Sequence, residues 1–148
     1  MSLPDLPAES VTLGVDAEDW RAAVRAAGAA LTESGCTEIA YSDEMIRMIE
    51  EHGPYIVIAP GLALAHARPG PTVLKDGLSV VTLANPVDFG HPYNDPVSVV
   101  VALAVVSTEA QIALVAELAN VFNDSTAITD LAAASTVEDV RRILDVAA

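Results

Sequence analysis

The chain has 148 residues, 21 acidic against 7 basic side chains and a net charge of −14, a field that repels nucleic acid and anionic membrane surfaces and favours a basic protein partner. Acidity also keeps a protein soluble, and most of this charge needs no further reason. Hydrophobic residues make up 52% and aromatic ones 4%, so the core has to be built from Ala, Val, Leu and Ile.

The length suits one domain spanning 1–148. Cys36 is the only cysteine, which excludes an intrachain disulfide and fits a reducing compartment. The start, MSLPDLPAES, lacks the basic and apolar regions of a signal peptide. The longest apolar run, Val97 to Val106, is broken by Ser98 and falls short of the ~20 residues that span a bilayer. The expectation is a cytoplasmic protein.

In chain order, residues 1–10 form a Pro-rich, acidic lead-in, and Val11 to Val15 a short strand. Asp16 is placed to cap a helix, with Glu18 and Asp19 in a first turn where the helix dipole favours them. Trp20, Ala23, Val24, Ala27 and Leu31 recur at helical spacing, and Gly35 ends that helix. Ser42 or Asp43 caps a second helix with Met45, Ile46 and Ile49 inward, stopped by His52-Gly53-Pro54. Arg47, Glu51 and His52 on it read as solvated or capping residues, although Arg47 and Glu51 lie where the helix runs into the central stretch. Tyr55 to Ala59 reads as a short buried strand, and 62–66 as another.

Beyond Lys75-Asp76-Gly77, Leu78 to Ala84 forms a strand. Asn85 to Pro96, NPVDFGHPYNDP, is a turn-rich connection of a length that often carries function. Asp88, His91 and Asp95 make only a weak metal spacing, and no metal is expected. Ser98 to Val106 reads as a central buried strand. Thr108 opens the next helix and has capping-box spacing to Gln111; Ile112, Val115, Leu118, Ala119 and Phe122 form its packed stripe and Asn123-Asp124 its end. Residues 127–133 make a short helix, and Ser135 with Glu138 a second capping box ahead of Val140, Ile143 and Leu144. Strands interleaved with helices imply an α/β sandwich with a mixed sheet.

The chemistry is concentrated in residues 53–70, GPYIVIAPGLALAHARPG. If residues 62–68 are extended, Leu62, Leu64, His66 and Arg68 share one face, and Ala63, Ala65 and Ala67 the other. The first face grades from apolar to imidazole to guanidinium, as in a strand running from core to rim. A neutral imidazole has one nitrogen free as a nucleophile, and a guanidinium two residues on suits an arriving phosphate. A lone histidine at a strand end is more often structural than catalytic, so spacing alone does not single out His66.

The same stretch resembles the phosphohistidine segment of the enzyme IIA proteins of the bacterial phosphoenolpyruvate-dependent sugar phosphotransferase system (PTS), in the mannitol/fructose/ascorbate branch and most closely its ascorbate-like members. YSDEMIRMIEEHGPYIVIAPG, PVDFGHPYNDPVSVVVALA and the helix after them occur in matching order, so most of the chain is covered. The signature's acidic or amide residue is met by Glu51, its apolar-small pair by Ile58-Ala59, its apolar-Ala-apolar triplet by Leu62-Ala63-Leu64, and its phosphorylated histidine by His66. Two positions depart from the pattern. The proline that usually precedes the histidine is Ala65, which frees a φ angle. The second histidine often found at the start of the late helix corresponds to Gln111, which hydrogen-bonds a phosphoryl oxygen without carrying charge.

The resemblance implies a mixed sheet flanked by helices on both faces, and a phosphotransferase with a phosphohistidine intermediate. His66 would accept a phosphoryl group from the histidine-containing phosphocarrier protein and pass it to a cysteine of enzyme IIB, which serves the membrane enzyme IIC. Phosphoryl transfer needs positioning and charge neutralisation above all. Arg68, Gln111, the backbone at Gly61 and the loop residues His91, Asn94 and Asp95 are the candidates for cradling the oxygens. Neither a Walker-type loop nor a Gly-x-Ser-x-Gly elbow is present, so no nucleotide or other cofactor is implied. A regulatory domain that signals through phosphate on His66, and an interaction module with an inert histidine, are the alternatives. The sugar and the oligomeric state, a homodimer included, stay open.

Overall fold

The computed structural model describes residues 3–124 and 126–147. Its strands are β1 (Val11–Val15), β2 (Val57–Ala59), β3 (Leu62–Ala65), β4 (Gly77–Val87) and β5 (Val97–Ala104). Its helices are α1 (Trp20–Glu33), α2 (Tyr41–His52), α3 (Thr108–Phe122), α4 (Thr126–Ala132) and α5 (Val137–Leu144). One sheet has the order β1-β4-β5-β3-β2. The pairs β1–β4 and β3–β5 are parallel and the pairs β4–β5 and β2–β3 antiparallel, which makes the sheet mixed, as expected.

Alternation along the strands builds two cores. Ala63, Ala65, Val81, Val100 and Ala102 face Ala23, Ala27, Leu31, Tyr41 and Met45 of α1 and α2. Leu62, Leu64, Val80, Val99, Val101 and Leu103 face Leu114, Leu118, Leu131, Val140 and Leu144 of α3, α4 and α5. The alanines let α1 approach so closely that Ser79 Oγ donates to Ala27 O across 2.8 Å. β3 lies between two strands and is buried on both faces. With about 25 cal/mol gained per Å² of apolar surface removed from water, this inner strand is a rigid base for the histidine at its end.

Several boundaries differ from the sequence reading. α1 begins four residues after Asp16: Asp19 is the cap, its Oδ1 accepting from Ala22 N at 2.9 Å. α2 starts at Tyr41 after Ala40, with no side-chain cap, so Ser42 and Asp43 lie inside its first turn. β2 is shorter than Tyr55 to Ala59 and is an edge strand, which leaves Tyr55 and Ile58 exposed. β4 runs on through Asn85-Pro86-Val87; the proline is accommodated where the register to β5 shifts, between Thr82 and Val87.

α3 is capped by Ser107, whose side chain accepts from Ala110 N, and not by Thr108. The Thr108–Gln111 box therefore does not form. Leu114 and Leu118 form the buried line of α3, while Ile112 is 67% exposed. Alanines surround this helix, so its sequence carries little phase information. α5 is capped one residue later than expected, by Thr136, while Asp139 reaches back to Ser135.

Candidate functional site

The site forms where β3 runs out. Ala65 is the last residue in the ladder, and the chain then leaves the sheet between α2 and α3. His66 is half-buried. Its Nδ1 lies 2.9 Å from Leu64 O. A carbonyl oxygen only accepts, so Nδ1 carries the proton and Nε2 keeps the lone pair. The ring's other constraint is Tyr55, whose ring meets it edge-on at 6.0 Å and 88°.

Tyr41 anchors the backbone just past His66. It is 1% exposed. Its hydroxyl donates to Leu103 O at 2.7 Å and accepts from Ala67 N at 3.0 Å. One phenol thus joins α2, the end of β5 and the residue after the histidine. Burial pushes its pKa up to about 12, against the opposing pull of the Ala67 hydrogen bond, so it stays a neutral donor. The Tyr55 phenol is also pushed up, chiefly by burial, while the Arg68 guanidinium pulls the other way.

An open cavity of about 360 Å³ is lined by Met48, His52, Tyr55, His66, Ala67, Arg68 and Gln111. A second cleft of about 250 Å³ adjoins it, lined by Glu44, Arg47, Met48, Glu51, Ala67 and Arg68. Among the described residues Arg21, Arg25, Arg141 and Arg142 are held in ion pairs, whereas Arg47 and Arg68 are in none. Glu44 is occupied by Thr72, whose Oγ1 donates to it at 2.6 Å. Two uncommitted guanidiniums beside a free imidazole nitrogen suit a multiply charged oxyanion.

Three expected site residues, His66, Arg68 and Gln111, therefore share one cavity. Freed from the capping box, Gln111 offers its amide there. Gly61, His91, Asn94 and Asp95 do not join them. β3 and β5 run parallel, with Leu62 beside Val99 and Ala65 beside Ala102, so the loop that leads into β5 sits where β3 begins and His66 sits where β3 ends. At about 3.3 Å per residue, Gly61 and His66 are roughly 16 Å apart.

The polar groups of that loop are also spent on the loop itself. Gly61 N donates to Asn94 O, and Asn94 Nδ2 to Val57 O. Asp95 Oδ2 accepts from the backbone N–H groups of Phe89, Gly90 and His91. His91 Nδ1 accepts from Tyr93 N and Asn94 N. The residues are structural braces at the far end of the strand. Asp95→Ala should accordingly lower stability by about 2 kcal/mol, the scale for stripping partners from several backbone donors, with the phosphoryl-acceptance rate within about twofold of wild type. Urea unfolding checks the first half, and the rate of phosphoryl labelling the second.

Arg47 and Glu51, read as solvated, line the adjoining cleft. Tyr41, Tyr55 and His52 were not expected at the site. Tyr41 carried one signal, a polar side chain opening an otherwise apolar helix face.

A family model described as "Phosphoenolpyruvate-dependent sugar phosphotransferase system, EIIA 2" matches residues 6–146. The ascorbate-specific PTS system EIIA component of Shigella boydii is 36% identical over 98% of this chain and 96% of its own length. A Streptococcus mutans crystal structure assigned to PTS IIA (PtxA) superposes with a TM-score of 0.88 at 32% identity, covering 98% of this chain and 94% of the other. IIA of mannitol from Escherichia coli, solved in complex with phosphorylated enzyme IIB, superposes with a TM-score of 0.83 at 26% identity, covering 95% and 97%.

Proposed function

This chain belongs to the EIIA 2 family of the phosphoenolpyruvate-dependent sugar phosphotransferase system, and we propose that within it the chain is a phosphocarrier that takes a phosphoryl group onto His66 Nε2 and hands it to a cysteine of enzyme IIB. The donor is the histidine-containing phosphocarrier protein. The observation that carries the reading is the setting of His66: Nδ1 is engaged by Leu64 O, which leaves Nε2 as the free nitrogen, and the residue lines a cavity together with Arg68.

In the first step the Nε2 lone pair attacks phosphorus. The new N–P bond forms as the N–P bond on the carrier's histidine breaks, and the carrier's nitrogen keeps that electron pair. The proton on Nδ1 stays in its bond to Leu64 O, which disperses the positive charge that the ring acquires. In the second step a thiolate of enzyme IIB attacks the same phosphorus and His66 Nε2 recovers its lone pair. Arg68, with Arg47 from the adjoining cleft and the Gln111 amide, neutralises and orients the oxygens in flight.

The net charge of −14 suits a basic donor and speeds encounter more than it tightens binding. A relative's solved complex with phosphorylated enzyme IIB supports that partner. The name of the Shigella relative favours an ascorbate-like carbohydrate as the transported substrate; in this reading enzyme IIC is the membrane component that enzyme IIB serves.

The test is incubation with phosphoenolpyruvate, enzyme I and the carrier protein, followed by peptide mass spectrometry under alkaline conditions. Phosphate on the peptide containing His66, discharged by added enzyme IIB, is the expected result. An unmodified chain overturns the reading. Phosphate retained in the presence of enzyme IIB would overturn the transport role and leave a signalling one.

A further inference from the structure

Of the three histidines, His91 has its Nδ1 engaged by two backbone donors at the far end of β3. His52 instead lines the same cavity of about 360 Å³ as His66. The two imidazoles flank one phenol: Tyr55 meets His52 edge-on at 6.2 Å and 80°, and His66 at 6.0 Å and 88°. The His52 ring is not needed to finish its helix. Gly53, at φ 83°, closes α2 with its own N–H on Ile49 O at 2.8 Å. Among the described residues the ring forms no hydrogen bond, and its side chain is 51% exposed.

Resting on the phosphocarrier reading, we propose that His52 is the second ionisable group of the phosphoryl site, an imidazolium that faces the phosphoryl group on His66 and makes its uptake depend on pH. The groups around it set the balance. From its own helix, Glu51 Oε2 lies 4.0 Å from Nε2 and favours the charged ring, as does the carboxyl end of α2; Met48 is neutral. From the turn, Tyr55 presents a phenol. From the end of β3, Arg68 opposes a second cation, and His66 is the group to be modified. From α3, Gln111 is neutral.

Phosphorylating His66 places a dianion in the shared cavity, and an imidazole beside a new anion gains a proton more readily. By reciprocity, a protonated His52 favours the phosphorylated form of His66. Histidine is the side chain whose charge most readily changes with pH, which suits it to such a coupling.

The experiment is a ¹H–¹⁵N titration of the histidine rings, in the unmodified protein and in protein kept phosphorylated by phosphoenolpyruvate, enzyme I and the carrier. The His52 midpoint is expected to rise by about half a unit or more on phosphorylation, with the distant His91 as internal control. In parallel, the uptake rate of wild type should fall as pH rises through the His52 midpoint, and His52→Gln should remove that slope without loss of fold. A His52 midpoint that moves no more than that of His91, or an unchanged slope in His52→Gln, overturns the inference while His66 is still phosphorylated. A wild type that takes up no phosphate overturns the phosphocarrier reading itself, and this inference with it.

Discussion

His66→Gln is expected to lower phosphoryl acceptance by about 10⁴-fold or more, the scale that accompanies removal of a nucleophile. Glutamine keeps a polar group of similar reach that donates to Leu64 O. It has no nitrogen lone pair that can hold phosphorus. The fold should survive, because β3 is secured by Leu62, Leu64, Ala63 and Ala65 in the two cores and by ladders on both sides. The loss confined to the ring is its edge contact with Tyr55, about 1 kcal/mol. Intact-mass measurement after treatment with phosphoenolpyruvate, enzyme I and the carrier, alongside urea unfolding, reads both effects. Residual labelling of the variant near the wild-type level would place the phosphate on another residue.

Tyr41→Phe is expected to cost about 2–6 kcal/mol of stability and to slow phosphoryl acceptance roughly tenfold. The hydroxyl satisfies two buried backbone groups, Leu103 O and Ala67 N, in residues that are 0% and 3% exposed. Phenylalanine fills the same space and leaves both without a partner, at about 1–3 kcal/mol for each such group. The slower reaction comes from freeing the backbone between His66 and Arg68, since small misplacements of reacting groups carry large rate penalties.

The alkaline limb of stability separates this role from mere packing. The folded pKa of Tyr41 is raised to about 12 from the ordinary 10.0. The neutral phenol is the form that the fold prefers, so its contribution is complete below pH 10 and fades as pH climbs from 10 towards 12. The loss there is about 2 kcal/mol in wild type, and Tyr41→Phe should lack it. Urea midpoints measured across that range decide the matter. An alkaline limb equally steep in both proteins would move the cause elsewhere.

The sequence showed some parts of this site and hid others for definite reasons. Period-two alternation in LALAHAR correctly divides Leu62 and Leu64 from Ala63, Ala65 and Ala67, which lie in opposite cores. Val11–Val15 is legible because β-branched residues are bounded by turn and cap residues on both sides. The resemblance, with its long motif, gave the mixed sheet with helices on both faces. What failed was whatever depended on strand pairing. Whether the 88–96 loop lies beside His66 or at the opposite end of β3 turns on β3 and β5 being parallel neighbours, and no local pattern states this.

Cap positions failed by one to three residues because this chain has several capping side chains close together, Asp16 and Asp19, Ser107 and Thr108, Ser135 and Thr136. Tertiary contact selects among them. Ile112 misled because every turn of α3 is rich in alanine. Tyr41 and His52 reach the site only through the packing of α2 against the end of β3, and neither spacing nor composition displays that.

The central claim is that the Leu64 carbonyl holds His66 with Nδ1 protonated and Nε2 open. Long-range ¹H–¹⁵N spectra of ¹⁵N-labelled protein, before and after phosphorylation, test it most directly. The expected result is the Nδ1–H tautomer in the free protein and phosphorus coupled to Nε2 of His66 in the product. Phosphorus coupled to Nδ1, or carried by any other residue, contradicts it.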